Sequence, residues 1–219
     1  GPALPSGLLV ALGLISLAVA VPFIVAQGDL KRLLAYSSIE HLGISALALG
    51  FGGPLALAGL ALHLLAHGLT KASLFLSAGG LVASGRSRRI ARLGGGLTAD
   101  PGDGRAFLIG SLLLSGLPPS ALFVSEIAII FGGFQRGWGV AAGIAAALMA
   151  AAVAGMLFHV ARIAFGSLSR PPTGAGHRAR HLAAIAAPLA LTILLGVWSP
   201  PFLTDAFGRV ARVLGGLGG

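Results

Sequence analysis

The chain of 219 residues is 56% hydrophobic and only 10% charged, with a mean hydropathy of +0.94. A soluble domain carries about 25% charged residues, so the composition excludes that class, and the lack of cysteine excludes disulfides, thiolate metal sites and cysteine-ligated iron–sulfur clusters within the chain. A formal charge of +9 invites a nucleic-acid partner, but the arginines lie in short segments between apolar runs, where they orient membrane helices instead.

Crossing a bilayer core of about 30 Å takes about 20 helical residues. Six segments qualify: 8–27, 33–51, 54–84, 106–135, 138–165 and 182–203. The first has no charge and no basic leader, so it reads as a span rather than a signal peptide. The second is polar in its first half, with Tyr36, Ser37, Ser38, Glu40 and His41. Glu40 and His41 are adjacent, so they point about 100° apart on a helix.

The third segment carries the most informative pattern. His63, His67 and Lys71 stand at i, i+4 and i+8, and no other formally charged residue occurs in 54–84. Each four-residue step turns a side chain only about 40° around the helix, so the three form one polar stripe. A lysine in hydrocarbon costs roughly 2.5–3.5 kcal/mol on insertion scales, which makes an intramembrane ionisable group a functional-site hypothesis. Lysine responds strongly to burial and histidine titrates nearest physiological pH, so the stripe suits proton transfer. A metal site is not expected: an HExxH helix needs glutamate after the first histidine, and Leu64 stands there. The length of this segment predicts tilt or a local break.

The fourth segment contains Gly116-Leu117-Pro118-Pro119, where two prolines interrupt the helix. It is either two crossings with a tight turn or one broken crossing. One broken crossing places Lys31, Arg32, Arg86, Arg88, Arg89, Arg92, Arg105, Arg162, Arg170, Arg178 and Arg180 on one side, against Arg136, Arg209 and Arg212. Two crossings give a weaker bias, so the positive-inside rule favours the broken helix and puts the loops at 28–32, 85–105 and 166–181 in the cytoplasm. Freed backbone groups survive at membrane depth only inside protein or a watery cavity, and Glu126 follows this break by two turns. His159 and Arg162 end the fifth segment and read as head-group or partner contacts; His177 and His181 lie in or beside a basic loop and carry no functional expectation. Gly94-Gly95-Gly96 reads as a flexible connector rather than a phosphate cradle, and no nucleophile or nucleotide motif is present. The fold class is therefore an all-α, polytopic membrane bundle of about six spans, a single domain over 1–219.

Three stretches resemble one family. The run from Asp29 to Gly43 (DLKRLLAYSSIEHLG) is similar to the signature opening a central helix in the antiporter-like subunits of respiratory complex I, membrane-bound hydrogenases and Mrp antiporters. The run from His63 to Phe75 resembles their H-x3-H-x3-K helix, and that from Gly116 to Glu126 their broken helix, which ends in Lys or Glu. The Ser-Ile-Glu-His-Leu-Gly form looks closest to the hydrogenase-associated, component F type. The resemblance implies the ninth to fourteenth helices of a family fold with two inverted repeats, the first eight lying outside these residues.

It further implies a proton-translocating, non-redox subunit of an oxidoreductase complex in a prokaryotic inner membrane. Lys71, His67, His63 and Glu126 would form the proton path, with Glu40, His41 and Lys31 for coupling or partner contact, and Gly116, Pro118 and Pro119 at the break. No catalytic, cofactor or metal residues are expected in the chain. Other membrane subunits and the bilayer would be its partners, and those subunits would carry iron–sulfur clusters and nickel–iron or flavin. An Mrp-type sodium/proton antiporter subunit and a purely structural membrane subunit are the alternatives.

Overall fold

The computed structural model describes residues 6–85, 87–167, 179–198 and 200–216, the side chains of Ala179 and Phe202 aside. Arg86, Arg170, Arg178 and His177 lie outside the described residues. The main elements are α1 (Ser6–Val25), α2 (Leu30–Phe51), α3 (Gly53–Gly85), a 3-10 turn (Ile90–Arg92), α4 (Gly96–Ala99), α5 (Pro101–Leu114), α6 (Ala121–Gln135), α7 (Gly139–Phe165), α8 (Ala179–Val197) and α9 (Pro201–Gly216). Five of these are long and apolar enough to cross a membrane.

The helix ends gather on two faces. On one, Leu30 N–H donates to Arg88 O, His159 Nε2 donates to Ile24 O and Val25 O, and Asp103 pairs with His181. On the other, Gly53 lies beside Arg136, Gly50 beside Ser6, and Gly7 beside Trp138. The α5–α6 pair starts on the first face and finishes on the second, so it is one interrupted crossing, and six crossings result. The first face holds Lys31, Arg32, Arg88, Arg89, Arg92, Arg105, Arg162 and Arg180 among the described residues, which marks it as cytoplasmic. The long third span is an unbroken 33-residue helix that reaches past the bilayer core by its length alone.

Local chemistry explains the helix limits. Asp29 caps α2, its Oδ1 accepting from Lys31 N at 2.9 Å and Arg32 N at 3.1 Å. Pro101 opens α5, where its missing N–H costs nothing. The end of α5 is not the work of the prolines. Gly116, at φ +62°, closes the helix, with Gly116 N–H donating to Leu113 O and Leu117 N–H to Leu112 O, the paired bonds of a left-handed glycine stop. Pro118 and Pro119 then keep the chain from continuing until Ser120 caps α6 through Phe123 N at 3.0 Å.

Two apolar clusters fill the interior. One, on the cytoplasmic side, contains Ile24, Leu33, Leu34, Leu74, Phe107 and Val160; the other, on the opposite side, contains Val10, Leu47, Phe51, Leu57, Ile129 and Ala145. Ser37, Ser38, Glu40 and His41 of α2 fall between Leu34 and Ile44, and Ser125 and Glu126 of α6 fall between Leu122 and Ile129. The polar groups thus form a layer at mid-depth between two greasy halves. Close helix approach brings the layer together. A Cβ on Gly132 would meet Ala56 N at 2.7 Å, and one on Gly59 would meet Ser125 O at 3.0 Å, so glycine lets α6 lie directly against α3.

Three expectations change. The sixth span ends at Val197, and a further helix, α9, packs along the first turns of α3. His159 is not a head-group contact: it is 2% exposed and donates to the last carbonyls of α1, which have no partner within their own helix. The glycine run at 94–96 is not a slack connector, since Gly94 and Gly96 pack against Ser167 and Ile163 at the end of α7.

Candidate functional site

The stripe on α3 faces inward. Lys71 is 6% exposed and donates to Leu34 O and to Ser37 Oγ of α2, both at 2.6 Å. Ser37 in turn donates to Leu34 O at 3.0 Å. Phe75, one turn along, places its ring 5.9 Å from the ammonium, within cation–π range. Leu34 O therefore gathers a hydroxyl and an ammonium, and α2 supplies both oxygens that hold the lysine.

One turn before Lys71, His67 lies against His41 of α2, with ring centroids 4.6 Å apart. His41 Nδ1 stands 3.2 Å from His63 Nε2 and 3.9 Å from Glu126 Oε1. His63 Nδ1 bonds Ser125 Oγ at 3.0 Å. Ser125 has one proton, which it donates to Leu122 O at 2.8 Å, so it must accept from His63 Nδ1–H. That places the lone pair of His63 on Nε2, facing His41. The Leu114 carbonyl, one of the groups that the end of α5 leaves free, also lies beside the His41 ring.

The break and the acid are in contact. A Cβ at Gly116 would collide with the Glu126 carboxylate, so glycine is needed there for space as well as for its positive φ. Glu40 completes the layer: it is 7% exposed, lies within electrostatic reach of Lys71, and lines a cavity of about 10 Å³ with His41 and Ser115. That volume is about what one water needs.

The structure thus brings Lys71, His67, His63 and Glu126 into one row, buried at Lys71 and His63 and partly buried at His67 and Glu126, and inserts His41 at its centre and Glu40 beside its lysine. Gly116, Pro118 and Pro119 lie at the break adjoining Glu126. Lys31 is not among them: it is exposed on the first turn of α2, on the cytoplasmic face. Sequence reasoning missed Ser125, and also Asp103, which is fully buried and bonded to His181 Nε2 at 3.0 Å. No single-helix spacing announces either contact.

Comparison with known proteins gives consistent matches. The family described as NADH:quinone oxidoreductase/Mrp antiporter, transmembrane, matches residues 5–155. A hydrogenase-4 component F homolog from Methylacidiphilum infernorum is 36% identical over 209 residues, covering 94% of this chain and 43% of its own. Subunit M of the NADH-quinone oxidoreductase of Mycobacterium tuberculosis is 34% identical over 197 residues, covering 90% of this chain and 35% of its own. Among solved structures, respiratory complex I from Thermus thermophilus superposes with a TM-score of 0.82 at 28% identity, over 98% of this chain and 45% of that one. The chain spans less than half the length of these relatives. It is a multi-pass membrane protein and belongs to the NADH:quinone oxidoreductase/Mrp antiporter transmembrane family.

Proposed function

We propose that the chain is a proton-translocating, antiporter-like subunit of a redox-driven membrane complex of the NADH:quinone oxidoreductase or membrane-bound hydrogenase type, and that it forms one half-channel, the second inverted repeat of its family. The observation that carries this reading is the inward-facing row of Lys71, His67, His41, His63 and Glu126, set between two apolar clusters and built from three helices. Lys71 holds a proton against Leu34 O and Ser37 Oγ. The imidazoles pass it on, and Glu126 delivers it beyond the break toward the outer face. A charge change reaching Glu40 from a neighbouring subunit alters the field at Lys71 and sets when the proton leaves. Electron transfer belongs to partner subunits bearing iron–sulfur clusters and nickel–iron or flavin; this chain supplies no redox group. The membrane is a prokaryotic inner membrane.

The test is Lys71→Ala in the assembled complex, reconstituted in vesicles with a pH-gradient dye. The expected outcome is a fall in coupled proton flux of about tenfold or more, a barrier change of at least about 1.4 kcal/mol. Unchanged pumping would remove the proposal. Loss of assembly with normal pumping in the residual complex would favour a structural role, and sodium-driven flux without electron carriers would favour the Mrp type.

A further inference from the structure

We propose that His41, His63 and Glu126 form a site for one divalent transition-metal ion of the zinc class, and that the ion stops the polar row. Their ligand atoms, His41 Nδ1, His63 Nε2 and a Glu126 carboxylate oxygen, all lie within 4.8 Å of one another. A tetrahedral zinc with Zn–N bonds of about 2.0–2.1 Å holds its nitrogen ligands about 3.3 Å apart. The two histidine nitrogens already stand 3.2 Å apart. The carboxylate oxygen, 3.9 Å from His41 Nδ1 and within 4.8 Å of His63 Nε2, needs to move in by about 0.5 Å toward the first and by up to about 1.5 Å toward the second to complete the third corner, a shift within the reach of a glutamate side chain.

The surroundings prepare the ligands. Ser125 Oγ holds the Nδ1 proton of His63, so its Nε2, on the side of His41, carries the lone pair that a metal needs. The Leu114 carbonyl gives the His41 ring a second polar partner. His67, next to His41, carries a buried Nε2 without a hydrogen-bond partner, a further nitrogen at the edge of the site. Only one proton fits between His41 Nδ1 and His63 Nε2; the ion takes its place and the proton leaves to solvent. Two imidazoles and a carboxylate are a ligand set that zinc accepts, with one corner left for water or His67. The spacing on α3 alone hides this, because the second imidazole and the acid come from α2 and α6. The ion also removes three members of the proposed proton row at once. That consequence rests on the proton-path reading, whereas binding does not.

The experiment uses the full-length protein in lipid nanodiscs, titrated with Co²⁺ alone and then Zn²⁺ alone. One Co²⁺ per chain with the intense visible bands of a four-coordinate ion is expected, displaced by Zn²⁺. His41→Gln and His63→Gln should abolish these bands, while His181→Gln should leave them unchanged. Ser125→Ala keeps every ligand and should weaken binding about 10–100-fold, the usual cost of losing an outer-shell partner. Circular dichroism and thermal melts certify that each variant is folded. Absence of the bands in folded wild type, or equal affinity in the folded His41 and His63 variants, would overturn the site. Zinc that binds as described and leaves proton flux in vesicles intact would uphold the site and instead overturn the proton-path reading.

Discussion

Lys71 is held by two oxygens of the neighbouring helix, and the pair is more telling than the lysine alone. A hydrogen bond to a charged group contributes about 1.5–3 kcal/mol, so removing the Ser37 hydroxyl should misplace the ammonium without deleting it. Ser37→Ala is expected to lower coupled proton flux roughly tenfold, and Ser37→Thr, which restores the hydroxyl, to recover most of it. Equal flux in both variants would show that the cradle is irrelevant. At this scale the sequence was partly readable. His63, His67 and Lys71 share a helical period, so their common face follows from spacing alone. His41 reaches the centre of the row because α2 packs against α3, and Ser125 because two glycines let α6 approach. Neither contact has a signature in one helix. Lys31 sat in a matching stretch yet lies exposed on the cytoplasmic face, where it has no part in the buried row.

Among the elements, the interrupted crossing depends on one glycine. A non-glycine residue at φ above zero costs about 1–3 kcal/mol, and at Gly116 a side chain also displaces the Glu126 carboxylate. Gly137 has φ +82° but nothing within 4 Å of where a Cβ would sit, so it isolates the backbone contribution. Gly116→Ala should therefore lower the melting temperature more than Gly137→Ala, and should reduce proton flux where the second change does not. Equal effects on flux would separate Glu126 from the break. The sequence announced this break but assigned it to the prolines, whereas the hydrogen bonds place the stop at the glycine and leave the prolines to delay the restart. It missed α9 because the run after Pro201 is short and carries Asp205, Arg209 and Arg212. The available signal was Leu203, Phe207, Ala211 and Leu214, a helical spacing whose members pack against the two interior clusters.

For the whole molecule, the two-faced arrangement is open to direct chemistry, because the chain contains no cysteine. Single substitutions Arg88→Cys and Arg136→Cys, both at exposed positions, should react with an impermeant maleimide from opposite sides of sealed vesicles. Labelling from the same side would mean that α5 and α6 cross separately. The number of spans was readable because lipid imposes a length rule on each segment independently. The layering of two apolar clusters around a polar stratum was not, since it depends on how six crossings register in depth. That register has a mechanical corollary at the cytoplasmic loops. Helices α2 and α3 are joined covalently through Gly52 at one end. At the other, Leu30 N–H bonds Arg88 O and Ile90 N–H bonds Gly28 O. The hairpin is thus a closed hoop fastened at both rims, and neither rod can piston past the other. Gating between Lys71 and His41 is left to swivelling side chains, each over about one rotamer step, while the scaffold around them stays put.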